Sequence, residues 1–163
     1  MSGFRIRDAV IDDCEELFQL CKEIAVFHDL KDQIISSIDT FRKDGFGENP
    51  LFRCHVAEKI DSGVLVGYTL FFPFYMSFIG KTMFMQEILV TEDARGEGVG
   101  QALMKQLVQV CVEEDYVRLQ WESMNWNVKA HAFYVNKLNG QDTALLDGGS
   151  KIFILNKEDM RKL

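Results

Sequence analysis

The residues of this chain best suited to chemistry run from Val90 to Gly100, Val-Thr-Glu-Asp-Ala-Arg-Gly-Glu-Gly-Val-Gly. Gly96, Gly98 and Gly100 alternate there, just ahead of an apolar helical pattern. Glycine adopts backbone conformations closed to other residues, so such a run can curl until several N–H groups converge on one point. The N-terminus of the following helix adds about half a positive charge. Together these features suit an anion such as a pyrophosphate. A tight strand-to-helix turn also uses glycine, and on the glycines alone both readings stand. No Gly-Lys-Ser/Thr follows, so the run is not a P-loop. Arg95 precedes the cluster and no acidic residue ends the next strand in the required place, so it is not a dinucleotide fingerprint either.

Other reactive side chains are dispersed. His28, His55 and His131 have no metal-ligand spacing, and no metal is expected. His55 alternates with apolar neighbours and reads as structural; His131, one turn before Tyr134, reads as a surface or half-buried residue. Cys14, Cys21, Cys54 and Cys111 show no C-x-x-C spacing and sit among apolar residues, as buried reduced thiols do.

The elements that must position these groups follow from hydrophobic periodicity. Phe4 to Arg7 alternates as a strand, and Asp12 and Asp13 are placed to cap a helix running to about Phe27, with Leu17, Leu20, Cys21 and Ile24 on one face. A shorter helix is expected over Ile35 to Lys43, ended by Asp44 and Gly45. Phe52 to Lys59 and Val64 to Tyr75 read as strands joined through Asp61-Ser62-Gly63. Gly80 and Lys81 mark a turn before a strand from Thr82 to Val90. A helix from about Gly98 to Glu114, a strand from Val117 to Met124, a helix from Val128 to Leu138 and a strand from Lys151 to Leu155 complete the order. The pattern predicts one α/β domain over residues 1–163 with a mixed sheet flanked by helices.

Composition narrows the functional classes. The chain has 163 residues, 47% hydrophobic and 26% charged, with only 2 prolines and no repeat. That suits one ordinary globular domain rather than a solenoid or a disordered chain. The formal net charge of −7 argues against nucleic acid, whose binding depends on neutralising phosphates. The run Val64 to Phe78 is broken by Gly67, Pro73 and Ser77, and residues 1–8 lack the apolar core of a signal peptide. Neither a membrane nor export is expected, and the default location is the cytoplasm.

Arg-x-x-Gly-x-Gly behind a strand (Arg95 to Gly100) resembles the acetyl-CoA loop of the GNAT superfamily of N-acetyltransferases. Asn127 followed by Ala130, Phe133 and Tyr134 resembles that superfamily's other signature, an Asn ahead of a helix carrying Phe-Tyr. Within the superfamily the chain is similar to the diamine acetyltransferases, the spermidine/spermine N1-acetylating enzymes and their thialysine-acetylating relatives. The likeness runs from about Arg5 to Ile154. It includes Asp13-Cys14, Lys22-Glu23, the stretch Asp44 to Pro50 (Asp-Gly-Phe-Gly-Glu-Asn-Pro), Cys54, Val56-Ala57-Glu58, Ile79-Gly80-Lys81 and Trp126-Asn127.

The resemblance implies a GNAT fold, an α/β (α+β) domain whose mixed, mostly antiparallel sheet has splayed middle strands. It implies acetyl transfer from acetyl-CoA, as co-substrate, to the primary amine of a small polyamine-like or thialysine-like molecule, by direct attack in a ternary complex. Ile88, Leu89 and Val90 would lie along the pantetheine. Arg95, Gly96, Glu97, Gly98, Val99, Gly100 and Gln101 would form the pyrophosphate loop, and Asn127 and Ala130 would border the cofactor arm. Tyr134 matches the tyrosine that protonates the departing thiolate; phenol and thiol pKa values, about 10 and about 8.5, are near enough for that transfer. A homodimer is implied, with the aromatic stretch Phe71 to Phe78 as its expected contact or, equally, as core.

The carboxylates that receive polyamines in that family are thinned. Its aromatic–Glu pair is Phe27-His28, its channel Asp and Trp are Met76 and Phe78, and its Glu-Asp pair is Gln86-Glu87. Near the C-terminus its Gly-Trp is Gly148-Gly149. An amide cannot serve as a base or attract an ammonium by charge. Glu87, Glu122 and Asp29 are the remaining candidate carboxylates, and His28 is a candidate base through water. Alternatives are a less cationic amine, a protein acceptor, or a regulatory homologue that binds acetyl-CoA without turnover.

Overall fold

The computed structural model of the chain describes residues 3–141. Two compact units divide the chain, residues 1–122 and 123–163. The first is built on strands β1 (Phe4–Asp8), β2 (Arg53–Lys59), β3 (Leu65–Met76), β4 (Gly80–Val90) and β5 (Arg118–Trp121), and helices α1 (Cys14–Phe27), α2 (Ile38–Phe46) and α3 (Val99–Glu113). The strands form one sheet in sequence order. Every neighbouring pair is antiparallel except β4 and β5, which are parallel and joined through α3. The mixed, mostly antiparallel sheet expected from the sequence is therefore present.

The pleat sends alternate side chains to opposite faces. Cys54 and Val56 of β2 and Tyr68 of β3 pack with Cys14, Leu17 and Leu20 of α1 and Phe41 of α2. Ala57 and Val66 pack on the other face with Val99 and Leu103 of α3. Helices thus cover both faces, which is why β2 and β3 read as near-continuous apolar runs. A charged cluster joins β1, β2 and the start of α1. Arg7 donates to Asp13 at 2.6 Å and to Glu58 at 2.5 Å, and Arg5 donates to Glu58 at 2.7 Å.

Several boundaries differ from expectation for physical reasons. Asp13 does not cap α1: its carboxylate is held by Arg7 and by the Val10 N–H at 2.7 Å. The second helix starts at Ile38, because Ser37 supplies the cap to Thr40 N at 3.2 Å, and Ile35 lies outside it, 96% exposed. That helix also runs through Gly45 to Phe46 before stopping. Gly80 already opens β4, the turn having been made at residues 77–79. The strand expected over Val117 to Met124 is only Arg118–Trp121.

Two irregularities of β4 matter for function. Its pairing with β5 stops at Met85 and Trp121, whereas β4 continues to Val90, so the two middle strands part company there. Its register with β3 also slips: Leu70 pairs with Glu87 and Phe71 with Met85, leaving Gln86 as the extra residue of a β-bulge.

The second unit contains α4 (Val128–Leu138). Asn127 caps it by accepting from Ala130 N at 3.3 Å, and left-handed Asn139, φ 55°, ends it. The expected strand Lys151 to Leu155 and the Gly148-Gly149 pair lie outside the described residues. No helix among the described residues is long and apolar enough to cross a membrane.

Candidate active site

The glycine run becomes the turn between β4 and α3. Gly96 and Gly98 have φ of 87° and 88°, a region that a Cβ disfavours, and Gly98 is the N-cap of α3. Gly100 is different: it is already helical, so only two of the three glycines are needed for backbone curvature. A Cβ on Gly96 or Gly98 would meet no atom within 4 Å, so the turn faces open space. The N-terminus of α3 has no side-chain cap and no acidic residue in its first turn. Among the described residues the N–H groups of Gly96 to Gln101 meet no side-chain acceptor. Glu97 is exposed. Arg95 is exposed as well, its Nε donating to Val90 O at 3.1 Å. A bare helix N-terminus, an open left-handed turn and a tethered guanidinium together fit a pyrophosphate.

Beside this turn lies a cleft of about 410 Å³ between α1 and the end of β4, bordered by Lys22, Phe27, Leu89, Val90, Thr91 and Arg95. Each wall carries one cation and one carboxylate, Lys22 with Glu23 on α1 and Arg95 with Glu92 beyond β4. Leu89 turns toward the α1 face, whereas Ile88 and Val90 turn toward α3. Beyond Met85 the β5-facing edge of β4 is unpaired among the described residues, and its backbone groups are available to a ligand.

One carboxylate lies in an unusual setting. Glu87 is half-buried on the α1 face of β4, and the fully buried Tyr68 donates its hydroxyl to Glu87 Oε2 at 2.5 Å. The Cys21 thiol of α1 lies close to it as well. Burial pushes the Glu87 carboxyl above its ordinary range, partly offset by the bond from Tyr68 and by the nearby Cys21 thiol and His28. Among the described residues no lysine or arginine forms an ion pair with it. In the sequence Cys21 reads only as a buried thiol on the apolar face of α1, and Tyr68 carries no functional signal. The available signal is the diagonal placement of Tyr68 and Glu87 across two paired strands, which cannot be read without the register.

The remaining candidates are dispersed. His28 ends α1 with its ring edge-on to Phe27 at 5.3 Å, and its charge reaches Glu87. Gln86 is exposed at the bulge, and Glu122, just beyond β5, and Asp29 are exposed. Met76 and Phe78 lie at the far tip of the β3–β4 hairpin, Phe78 fully exposed. Seven residues of strand, about 23 Å, separate Gly80 at that tip from Glu87. Phe27, His28 and Glu87 are thus neighbours, and Met76 and Phe78 are not among them. In the second unit Tyr134 is half-buried, its ring 5.7 Å from that of Phe133, and burial raises its pKa so that it stays a phenol at neutral pH. Asn127 uses its side-chain oxygen to cap α4.

The model of the Acetyltransferase (GNAT) family matches residues 11–140, most of the chain. The chain belongs to the GNAT acetyltransferase family. Thialysine N-epsilon-acetyltransferase of Mus musculus is 32% identical over 100% of this chain and 98% of its own length. Spermidine/spermine N(1)-acetyltransferase-like protein 1 of Homo sapiens is 30% identical over 98% of this chain, which spans 24% of that protein. Among solved structures, an aminoglycoside acetyltransferase from an uncultured soil metagenomic sample superposes with a TM-score of 0.76 at 15% identity, covering 95% of this chain and 97% of its own. That likeness speaks for the fold alone. As a member of the GNAT family the chain is an acetyltransferase, in keeping with the resemblance carried by Arg95 to Gly100 and Asn127 to Tyr134.

Proposed function

We propose that the chain transfers acetyl from acetyl-CoA to the primary amine of a small polyamine-like or thialysine-like molecule. The observation that carries this reading is the turn at Gly96 and Gly98, which opens a bare α3 N-terminus beside Arg95. Names of relatives that acetylate thialysine or resemble polyamine acetylases support the acceptor class. Acetyl-CoA supplies an acetyl group activated as a thioester. The chain's residues do the rest. N–H groups from Gly96 to Gln101 and the Arg95 guanidinium hold the pyrophosphate. The backbone of Ile88, Leu89 and Val90 holds the pantetheine, and Asn127 and Ala130 border the same arm. Tyr134 gives its phenolic proton to the departing sulfur. Phe27, His28 and Glu87 receive the acceptor, and Gln86 and Glu122 complete the proposed substrate set, from which Met76 and Phe78 are left out by their place at the hairpin tip.

The same reading makes residues 1–163 one cytoplasmic catalytic domain that works as a homodimer, with the aromatic stretch Phe71 to Phe78, exposed at Tyr75 and Phe78 while Phe71 belongs to the core, as the contact. Gln86, exposed and uncharged at the bulge, favours an acceptor with fewer cationic groups than spermine. Thiol release from acetyl-CoA over a panel of spermidine, spermine, thialysine, lysine, an aromatic amine and a short peptide tests the proposal. Turnover of at least one amine is expected, falling by about 100- to 10,000-fold in Tyr134→Phe. Coenzyme A binding with no release from any amine would instead make the chain a non-catalytic acetyl-CoA binder.

A further inference from the structure

Glu87 raises a problem of charge. A carboxylate withdrawn from water is costly unless a counter-charge or several donors compensate it. Here the compensation is incomplete: one neutral donor, Tyr68 O–H at 2.5 Å, with the Cys21 thiol and His28 nearby, and no lysine or arginine paired with it among the described residues. The groups facing Glu87 are Cys21 and His28 from α1, Tyr68 from β3, and the Cys54 thiol of β2, which senses its charge. None of these carries a permanent positive charge. Directly beside it, the bulge pushes Gln86 to the surface, and an amide there cannot take a proton.

We propose that Tyr68 is a positioning residue that fixes Glu87 as the site for the acceptor's ammonium and as the acceptor of its proton, the task Gln86 cannot perform. The proposal rests on the acetyl-transfer reading and deepens it. One N–H bond of the ammonium breaks, and its proton passes to Glu87. The freed lone pair forms the bond to the acetyl carbon as the carbon–sulfur bond breaks. The thiolate leaves as the free thiol with the second nitrogen proton, and Glu87 releases its proton to solvent. Tyr68 takes no part in these transfers. Its hydroxyl bonds Oε2 and stabilises the ionised form that the step requires. Because the site offers one carboxylate beside His28, against whose ring Phe27 packs, it suits an acceptor whose reactive amine is borne on an aliphatic or aromatic body.

Two independent measurements test this. In the first, kcat/KM is followed against pH with whichever amine of the panel is turned over. Glu87→Gln is expected to lower kcat/KM at least 100-fold and to abolish the acidic limb. Tyr68→Phe removes a bond to a charged group, and is expected to cost about tenfold at neutral pH while moving the acidic limb up by about one pH unit. A purely structural role for Tyr68 would lower the melting temperature without moving the limb. In the second, the chain carries carboxyl-13C glutamate, and the Glu87 resonance is assigned by its loss in Glu87→Gln. Its midpoint is expected to be higher in Tyr68→Phe, and 1,3-diaminopropane is expected to shift it in the wild-type chain with coenzyme A bound. If amines are turned over and Tyr134→Phe silences the enzyme while Glu87→Gln does not, the inference is wrong and acetyl transfer stands. If no amine is turned over, acetyl transfer fails, and the resonance still decides: a Glu87 signal indifferent to Tyr68 or to the diamine overturns the inference.

Discussion

Gly67 and Leu89 pass so closely across the β3–β4 ladder that a Cβ on Gly67 would stand 2.7 Å from the Leu89 carbonyl oxygen. The same Cβ would press on Val99 and Leu103 of α3 at 3.3 and 3.4 Å. This glycine therefore lets α3 settle onto the sheet, and α3 is the helix whose N-terminus forms the anion turn. Gly67→Ala is expected to destabilise the chain by about 1–3 kcal/mol, the range for an overpacked core. Because the strain falls at Val99, coenzyme A affinity should fall with it. Denaturant unfolding and calorimetric titration with coenzyme A check both halves.

The anion turn itself separates two kinds of glycine. At Gly98, φ of 88° makes any Cβ unfavourable, so Gly98→Ala should cost about 1 kcal/mol of stability and weaken coenzyme A binding. Gly100 is helical, and its nearest neighbour to an added Cβ is Val90 Cγ2 at an ordinary 3.6 Å. Gly100→Ala is expected to leave stability unchanged or to raise it by about 0.4–1 kcal/mol. If its affinity for coenzyme A nonetheless drops, Gly100 serves the close approach of a phosphate.

His55 gives the fold an acid sensitivity. Its imidazole is 1% exposed, 4.7 Å from the Phe71 ring, with Nε2 3.3 Å from Asp8 Oδ1. Burial pulls its pKa below the ordinary 6.5, and the exposed Asp8 only partly opposes this. The unfolded chain therefore binds more protons as pH falls below 6.5, and stability must decline in that direction. Above 6.5 the imidazole is neutral in both states and contributes no pH dependence. Melting temperatures recorded across this range should fall toward acid in the wild-type chain and flatten in His55→Gln.

How much of this was legible in the sequence depends on what each feature needs. α1, α3 and α4 follow from local apolar spacing, and the anion turn follows from glycines that neighbour a helix, so both were readable. The start of α2 was not, because Ile35 looks like a core residue yet Ser37 holds the better cap. Nothing at Gln86 announces a bulge: no glycine marks it, and only the pairing of Leu70 with Glu87 and Phe71 with Met85 exposes it. Without that register, Tyr68 cannot be placed against Glu87. Met76 and Phe78 were grouped with the substrate residues by resemblance, but strand length carries them to the hairpin tip.

The account stands on acetyl passing from a thioester to an amine, and one measurement follows that group directly. Acetyl-CoA labelled with 13C in the acetyl carbonyl is mixed with the chain and the amine panel, and the carbonyl resonance is watched over time. The account predicts that the thioester signal gives way to an amide signal with at least one small amine, and that Tyr134→Phe slows the change by about 100-fold or more. A label that stays in the thioester with every amine, although coenzyme A binds, would contradict it.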